Sequence, residues 1–453
     1  MISENTKNKL PEIREAVLTI LLAIWILIPF LKETRIICYF ALVYEYIFIL
    51  ITGFIGLICL IYDTIKQYKK YDNKKQYFKE RLPMILLLAF MAWTFISSIF
   101  AQNIKNAFWG DEYRKDGYIS YLAYAGFFGC AFLIKSKELK KLLINLFIGI
   151  AVLNIILIEL ANKGLLTNIF YARTVTRTCF HNINHYAYYL LLATASANFM
   201  FITEKKKLLK IIYVLVYAFL LYYLILNNTL GTYIALGMTL ILFLGYCIYH
   251  KKGRTLAIIS ISIFIILSIW TNLGGSNLVK ENFARMFGDF KNISLAEIAK
   301  KLDSEDKDRL EKIAGYGGSG RINLWRNGII FFLENPVLGY GPENLGELYK
   351  EQGIEQDRPH NLLIQQATTS GIIGLVTYIS AMGIILIVGL KNMKLENGMH
   401  IIVYANVLAY LMSAMFGNSM YYTSPYFFIF LGLLMFENIE EIKMNKKKDS
   451  IGK

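Results

Sequence analysis

The sequence predicts an all-α, polytopic membrane protein of about twelve transmembrane helices with one large, partly helical extracytoplasmic loop. Three observations carry this. First, 56% of the 453 residues are hydrophobic and only 18% are charged, against about 25% charged in an ordinary soluble domain. Second, the apolar residues come in blocks near the ~20 residues needed to cross a bilayer core. Third, basic residues collect in alternate gaps between those blocks. The 48 Lys and Arg divide into 28 in gaps of one parity, 8 in the short gaps of the other, and 12 in one long gap. Positive segments stay cytoplasmic, so both termini are expected inside.

The blocks lie at roughly 15–31, 36–61, 82–101, 118–134, 141–160, 183–203, 208–226, 229–249, 255–272, 362–390, 400–417 and 425–437. Only helices suit them, because lipid-facing backbone must satisfy its hydrogen bonds within its own segment. No small-residue cleavage site follows the first block, so it is expected to be a retained span. The organisation that follows is spans one to nine in 1–272, a large loop in 273–361, spans ten to twelve in 362–437, and a basic cytoplasmic tail in 438–453. The large loop holds 12 basic and 14 acidic residues. Leu278, Val279, Phe283, Met286, Phe287 and Phe290 recur in it at helical spacing. Ser294 to Glu297 has capping-box form. Glycines from Gly315 to Gly320 then break the chain, and a second amphipathic helix is expected from Arg321 to Leu333, stopped by Asn335-Pro336.

The net charge of +15 would suggest nucleic acid in a soluble protein; here the membrane accounts for it, and no nucleic-acid partner is expected. The five cysteines show neither metal-site spacing nor a disulfide framework. Glu45 lies mid-span, where acids are expensive. With no basic partner within a span, it is expected to be protonated or hydrogen-bonded to a neighbour such as a tyrosine.

The chemistry concentrates late in the chain. Gly318-Ser-Gly-Arg321-Ile-Asn-Leu-Trp325 is followed by Asn335-Pro336-Val-Leu-Gly339-Tyr340-Gly341-Pro342-Glu-Asn344. Pro359-His360-Asn361-Leu-Leu-Ile-Gln365 and Ser370-Gly371-Ile-Ile-Gly374-Leu375 come next. This ordered set resembles the conserved core of the O-antigen ligase and polymerase family of membrane glycosyltransferases. Arg177-Thr-Cys-Phe180-His-Asn-Ile-Asn184-His-Tyr-Ala187 resembles an upstream segment of the same family more loosely. The resemblance implies a GT-C-like fold and metal-independent, inverting transfer without a cofactor. A glycan would move from a polyprenyl-diphosphate (undecaprenyl-type) donor to an acceptor hydroxyl of a glycan, lipid or protein on the outer face, with membrane lipid as a further partner.

Such a reaction needs fixed cations at the diphosphate, for which planar guanidinium is suited, and a group that takes or orients the acceptor proton. Arg321 and His360 are the expected catalytic pair. Arg177, Trp325, Arg326, Tyr340, Asn344, Asn361 and Arg114 are candidates for substrate binding, Asn361 also by fixing the backbone around His360. His181 and His185 are expected to be helix-entry residues, and His250 and His400 to have no catalytic part. An apolar flank for the polyprenyl chain is expected on the helix carrying Trp325, Phe331 and Phe332. The sequence departs from the family at Leu230, where an arginine is usual; Arg114, Lys115 or Arg326 are the available replacements. Two other classes compete. A metal-dependent GT-C glycosyltransferase would draw on Asp111-Glu112 or Asp306 and Asp308. A transporter or flippase of lipid-linked oligosaccharide would fit the number of spans, though it should show two related halves and polar groups at mid-depth.

Overall fold

In the computed structural model, residues 4–180, 182–273, 321–418 and 420–451 are described. Among them every regular element is a helix, and a single β-bridge joins Thr34 to Phe170. The helices are α1 Glu4–Glu33, α2 Cys38–Lys70, α3 Lys74–Glu80, α4 Leu82–Ile99, α5 Ile104–Trp109, α6 Tyr118–Phe132, α7 Lys137–Asn162 and α8 Ile183–Thr203. They continue with α9 Lys207–Asn227, α10 Leu230–Tyr249, α11 Arg254–Thr271, α12 Arg321–Glu334, α13 Leu345–Glu351, α14 Leu362–Asn392, α15 Gly398–Ala414 and α16 Ser424–Ile451. The first helical part expected in the large loop, from Leu278 through the capping-box segment to the glycine run, lies outside the described residues.

A helix occupies each of the twelve segments in which the sequence predicts a span. Eight of them (α1, α2, α4, α7, α9, α10, α11 and α14) are long and apolar enough to cross a membrane. The others, α6, α8, α15 and α16, are among the most enclosed. From His185 to Ile202 every residue of α8 is buried. A helix shielded by its neighbours need not present an apolar surface to lipid, so His185, Asn198 and Thr194 are tolerated there.

The connections sort into two sets. At one end Glu15 accepts from the backbone of Lys135 and Ser136, Lys141 pairs with Glu204, and the Tyr246 hydroxyl donates to the Met393 carbonyl. At the other, Arg35 donates to the Ile169 carbonyl, Asn227 to that of Thr176, and Asn361 to that of Met415. Helix α16 continues past residue 437 and fastens to the first set, with Lys446 on Glu80 at 2.9 Å.

One expectation is corrected. Helix α1 runs past its apolar block, so Lys32 lies within it and forms a buried ion pair with Glu45, 3.0 Å from Oε2. The Tyr421 hydroxyl stands 3.5 Å from the same carboxylate. The carboxylate's partner is thus chiefly a lysine. It was hidden because Lys32 follows the last apolar residue and counts as loop in a linear reading.

Candidate active site

Helix α14 is interrupted at Gly371 (φ 62°, ψ −169°). The stretch after α12 fills the interruption. Tyr340 and Gly341 donate from their backbone to the carbonyls of Thr368 and Thr369, both at 2.9 Å, and Ile372 donates to Pro336 at 2.7 Å. A Cβ on Gly371 would collide with the Val337 carbonyl oxygen, and its positive φ penalises any side chain. The Asn-Pro-Val-Leu-Gly-Tyr-Gly and Ser-Gly-Ile-Ile-Gly segments are therefore two halves of one joint. Irregular backbone is viable at this depth because each half satisfies the other.

The joint sets α12. Leu324, Gly328 and Phe331 form its buried stripe at helical spacing, against Leu345 and Tyr349 of α13. Tyr349 donates to the Leu324 carbonyl at 2.8 Å. A Cβ on Gly328 would stand 2.6 Å from Ile364 and 3.3 Å from Pro359. The glycine thus lets α12 lie directly on the turn that carries His360. Phe331 is spent on this small core, 5.1 Å from the Tyr349 ring, and is not on the apolar flank as expected; Ile329 and Leu333 are the exposed apolar residues of α12, at 50% and 66%.

His360 itself adopts left-handed backbone, φ 52°, a conformation that a residue with a Cβ holds only when its surroundings impose it. Pro359 precedes it, and the Asn361 side chain caps α14 by accepting from Leu363 and Ile364 while donating to the Met415 carbonyl at 3.1 Å. The imidazole is pushed down to about 4. Burial is the largest cause, followed by the Arg321 and Arg114 guanidinium groups, with Arg358 adding to them and Asp357 opposing. Arg321 and His360, 39 positions apart in the chain, thus lie within electrostatic reach of one another. The Arg321 charge also reaches Tyr188 on α8.

The other candidates divide. Arg114 joins the group but is engaged, with both carboxylate oxygens of Asp357 and with the Met420 sulfur at 3.5 Å. Trp325 packs on Phe416 with ring centroids 6.2 Å apart, and Arg326 is half-buried beside it on α12. Tyr340 donates to Glu334 at 3.1 Å. Asn344 bonds to both backbone groups of Asn103 and ties two loops together. Arg177 is exposed; its backbone donates to the Thr174 carbonyl and accepts from Phe180, both at 3.1 Å, and its side chain makes no ion pair among the described residues. Lys115 sits over the Tyr46 and Tyr421 rings at 5.1 and 5.8 Å and has no carboxylate partner among the described residues. His185 is buried against the Tyr422 hydroxyl at 2.6 Å; His181 lies outside the described residues.

Sequence reasoning missed Arg358, two positions before His360. It is 2% exposed and binds Asp116 at 3.0 Å and Glu343. Asp116 also accepts from Tyr124 at 2.7 Å. This network holds the His360 turn to the α5–α6 loop and to the segment before α13. Its only sequence signal is charge itself: a lone arginine abutting the Pro-His-Asn run. Among the described residues no group of three or more His, Cys, Asp or Glu is arranged to hold a metal ion; Asp306 and Asp308 lie outside them.

The fold and this cluster define a multi-pass helical membrane protein with a histidine and several arginines gathered at one end of its bundle. Residues 214–379, which include Arg321, His360 and the α14 joint, match the family model described as O-antigen ligase, so this part of the chain is similar to that family. No curated protein matches it.

Proposed function

We propose that the protein is a membrane glycosyltransferase of the ligase or polymerase kind. It moves a glycan from a polyprenyl-diphosphate donor to an acceptor hydroxyl, without metal and with inversion, on the outer face. In this reading there are twelve crossings, both termini are cytoplasmic, and the His360 end of the bundle is extracytoplasmic. The observation that carries it is His360, fixed in left-handed backbone and brought within electrostatic reach of Arg321, Arg114 and Arg358.

A neutral imidazole can accept a proton. His360 takes it from the acceptor hydroxyl as that oxygen attacks the sugar's anomeric carbon. The bond from that carbon to the phosphate oxygen breaks, and the electron pair leaves with the polyprenyl diphosphate. Arg321 meets the charge that builds there. The proton on His360 then passes to the departing diphosphate or to solvent, and the base is restored. The guanidinium groups that add to burial in holding the His360 imidazole down also draw the donor anion to it. Arg358 works differently. Fully engaged by two carboxylates, it holds the turn. The exposed flank of α12 at Ile329 and Leu333 offers an apolar surface for the start of the polyprenyl chain.

The test is transfer by the purified protein with a lipid-linked glycan and candidate acceptors, with and without EDTA. Transfer is expected to survive chelation. His360→Ala is expected to lower the rate by about 10²–10⁴-fold, and Arg321→Ala by about 10²–10³-fold, with folding retained. Full activity in both variants overturns the site; movement of intact donor without cleavage overturns the reaction.

A further inference from the structure

A cavity of about 460 Å³ runs between α2, α4, α6, α14 and α16. One end reaches Arg358, Gln365 and Gln366, the other Thr64, Tyr77 and Arg81. The two ends differ in access. Around the Arg81 end the lining residues Ile61, Ile65, Phe78 and Leu88 are themselves exposed on the flank of the bundle, whereas Arg358, Gln365, Gln366 and Tyr410 are buried. The cavity therefore opens sideways, toward lipid, in the half near Arg81.

The ends also differ in charge. The Arg358 guanidinium faces two carboxylates, Asp116 and Glu343, so the cation at that end is already engaged. At the other end Asp63 is taken by Arg14 at 3.0 Å and Glu80 by Lys446 at 2.9 Å. Arg81 is left over. It is 4% exposed, bonds to Gln67 through Nη2, and lies 4.1 Å from the centre of the Tyr77 ring. Its Nη1 is buried without a hydrogen-bond partner among the described residues. A buried guanidinium with an unused donor is an expensive arrangement unless something anionic completes it. The start of α4, immediately after Arg81, adds the positive end of a helix dipole.

We propose that this cavity is a binding site for an anionic glycerophospholipid. Its phosphate sits at Arg81 and an acyl chain runs between α2 and α4 toward Gln366. The lipid comes from the leaflet at the basic-loop end. The phosphate site at Arg81 lies at the opposite end of the cavity from Arg358, and its existence does not depend on the transfer reaction.

The experiment is native mass spectrometry of the full chain released from micelles after incubation with phosphatidylglycerol or phosphatidylcholine of identical chains. The wild type is expected to keep one phosphatidylglycerol and to prefer it to phosphatidylcholine by about tenfold or more, because the choline cation cancels the phosphate charge and is repelled by the buried guanidinium. Arg81→Gln should remove the preference, Arg81→Lys should retain most of it, and Met91→Trp, which fills the middle of the cavity, should weaken both lipids. Equal retention of the two lipids by the wild type, or unchanged preference in Arg81→Gln, overturns the proposal. So does displacement of phosphatidylglycerol by equimolar polyprenyl diphosphate, which would assign the cavity to the donor chain. A variant that elutes as aggregate is replaced by the wild-type lipid comparison, which decides alone.

Discussion

At the basic end of the bundle four carboxylates meet lysines, Glu437 with Lys140 at 2.7 Å, Glu204 with Lys141 at 2.8 Å, Glu441 with Lys394 at 2.6 Å and Glu80 with Lys446 at 2.9 Å, and one, Asp63, meets Arg14. At the other end Glu45 meets Lys32, but around His360 the pairs are built on arginines, Asp357 with Arg114 and Asp116 with Glu343 on Arg358. A lysine is a point charge on a flexible stem, enough to fasten one connection to another. A guanidinium is a planar fork that fixes direction as well as distance. The protonation states follow. At the basic end Glu204 is held down at about 2: burial opposes ionisation, but bonds from Lys141 and the Lys205 and Lys206 backbone outweigh it. At the other end burial, and after it the surrounding cations, hold the His360 imidazole down. One end is a fastening; the other is a preset electrostatic environment.

The largest effects should come from removing the buried cation at each end. Breaking a buried pair costs about 3–5 kcal/mol, because the partner charge is left unmatched. Arg358→Ala strands two carboxylates and Lys140→Ala strands Glu437, so both should lower the apparent melting temperature in detergent by a similar amount. The comparison is sharpened by activity. Arg358→Ala should also abolish transfer, because the His360 turn loses its tie, whereas surviving Lys140→Ala protein should keep its specific activity. Equal specific activity in the two would remove the distinction between the ends.

Next in size is the α14 joint. Gly371→Ala places a side chain at positive φ against the Val337 carbonyl and should cost about 2–3 kcal/mol. Gly383, on the same helix with no neighbour within 4 Å of an added Cβ, is the control, and Gly383→Ala should leave the melting temperature unchanged or higher. Equal behaviour of the two would mean that α14 is continuous.

How much of this was legible in the sequence depends on how far apart the partners lie. The spans and the Arg321–Glu334 helix were readable because apolar blocks, Asn335-Pro336 and the buried stripe act within one segment. Arg358 was not, because its carboxylate on Asp116 lies 242 positions away and no local pattern announces it. Lys32 was assigned to a loop because hydropathy ends a span at the last apolar residue, while a helix ends where its backbone bonds do. The motif glycines were recognisable as a set, but that Gly371 and Val337 are two faces of one joint is a statement about three dimensions. His360 was a candidate from its neighbours alone; its lowered basicity was invisible, since it arises from burial first and then from guanidinium groups on three separate stretches of chain.

That lowered basicity makes a pH prediction with a definite sign. Folding takes His360 from an ordinary value near 6.5 to about 4. Between those values the unfolded chain binds a proton that the folded one refuses, so stability should fall as pH drops from about 6.5 toward 4. In the same window the empty site keeps its base unprotonated. A bound diphosphate adds negative charge and should raise the imidazole, so donor binding near pH 5.5 should take up protons. Calorimetry of polyprenyl diphosphate binding in buffers of different ionisation enthalpy measures this. Uptake is expected in the wild type and not in His360→Gln; equal uptake in both would assign the proton elsewhere.

The smallest effect tests the comparison from the opposite side. Lys252 and Glu396 pair at 3.1 Å on the basic end, but at 66% and 70% exposure. Water and salt screen such a pair, and ordering two long side chains offsets what Coulomb attraction remains. Lys252→Ala should therefore leave the melting temperature unchanged within scatter at physiological salt. Lys140→Ala, at the same end and with the same pair of residue types, should shift it by several degrees. If instead both lysines mattered equally, pairing rather than burial would be what fastens this end, and the contrast with the arginine-built end would have to be argued from geometry alone.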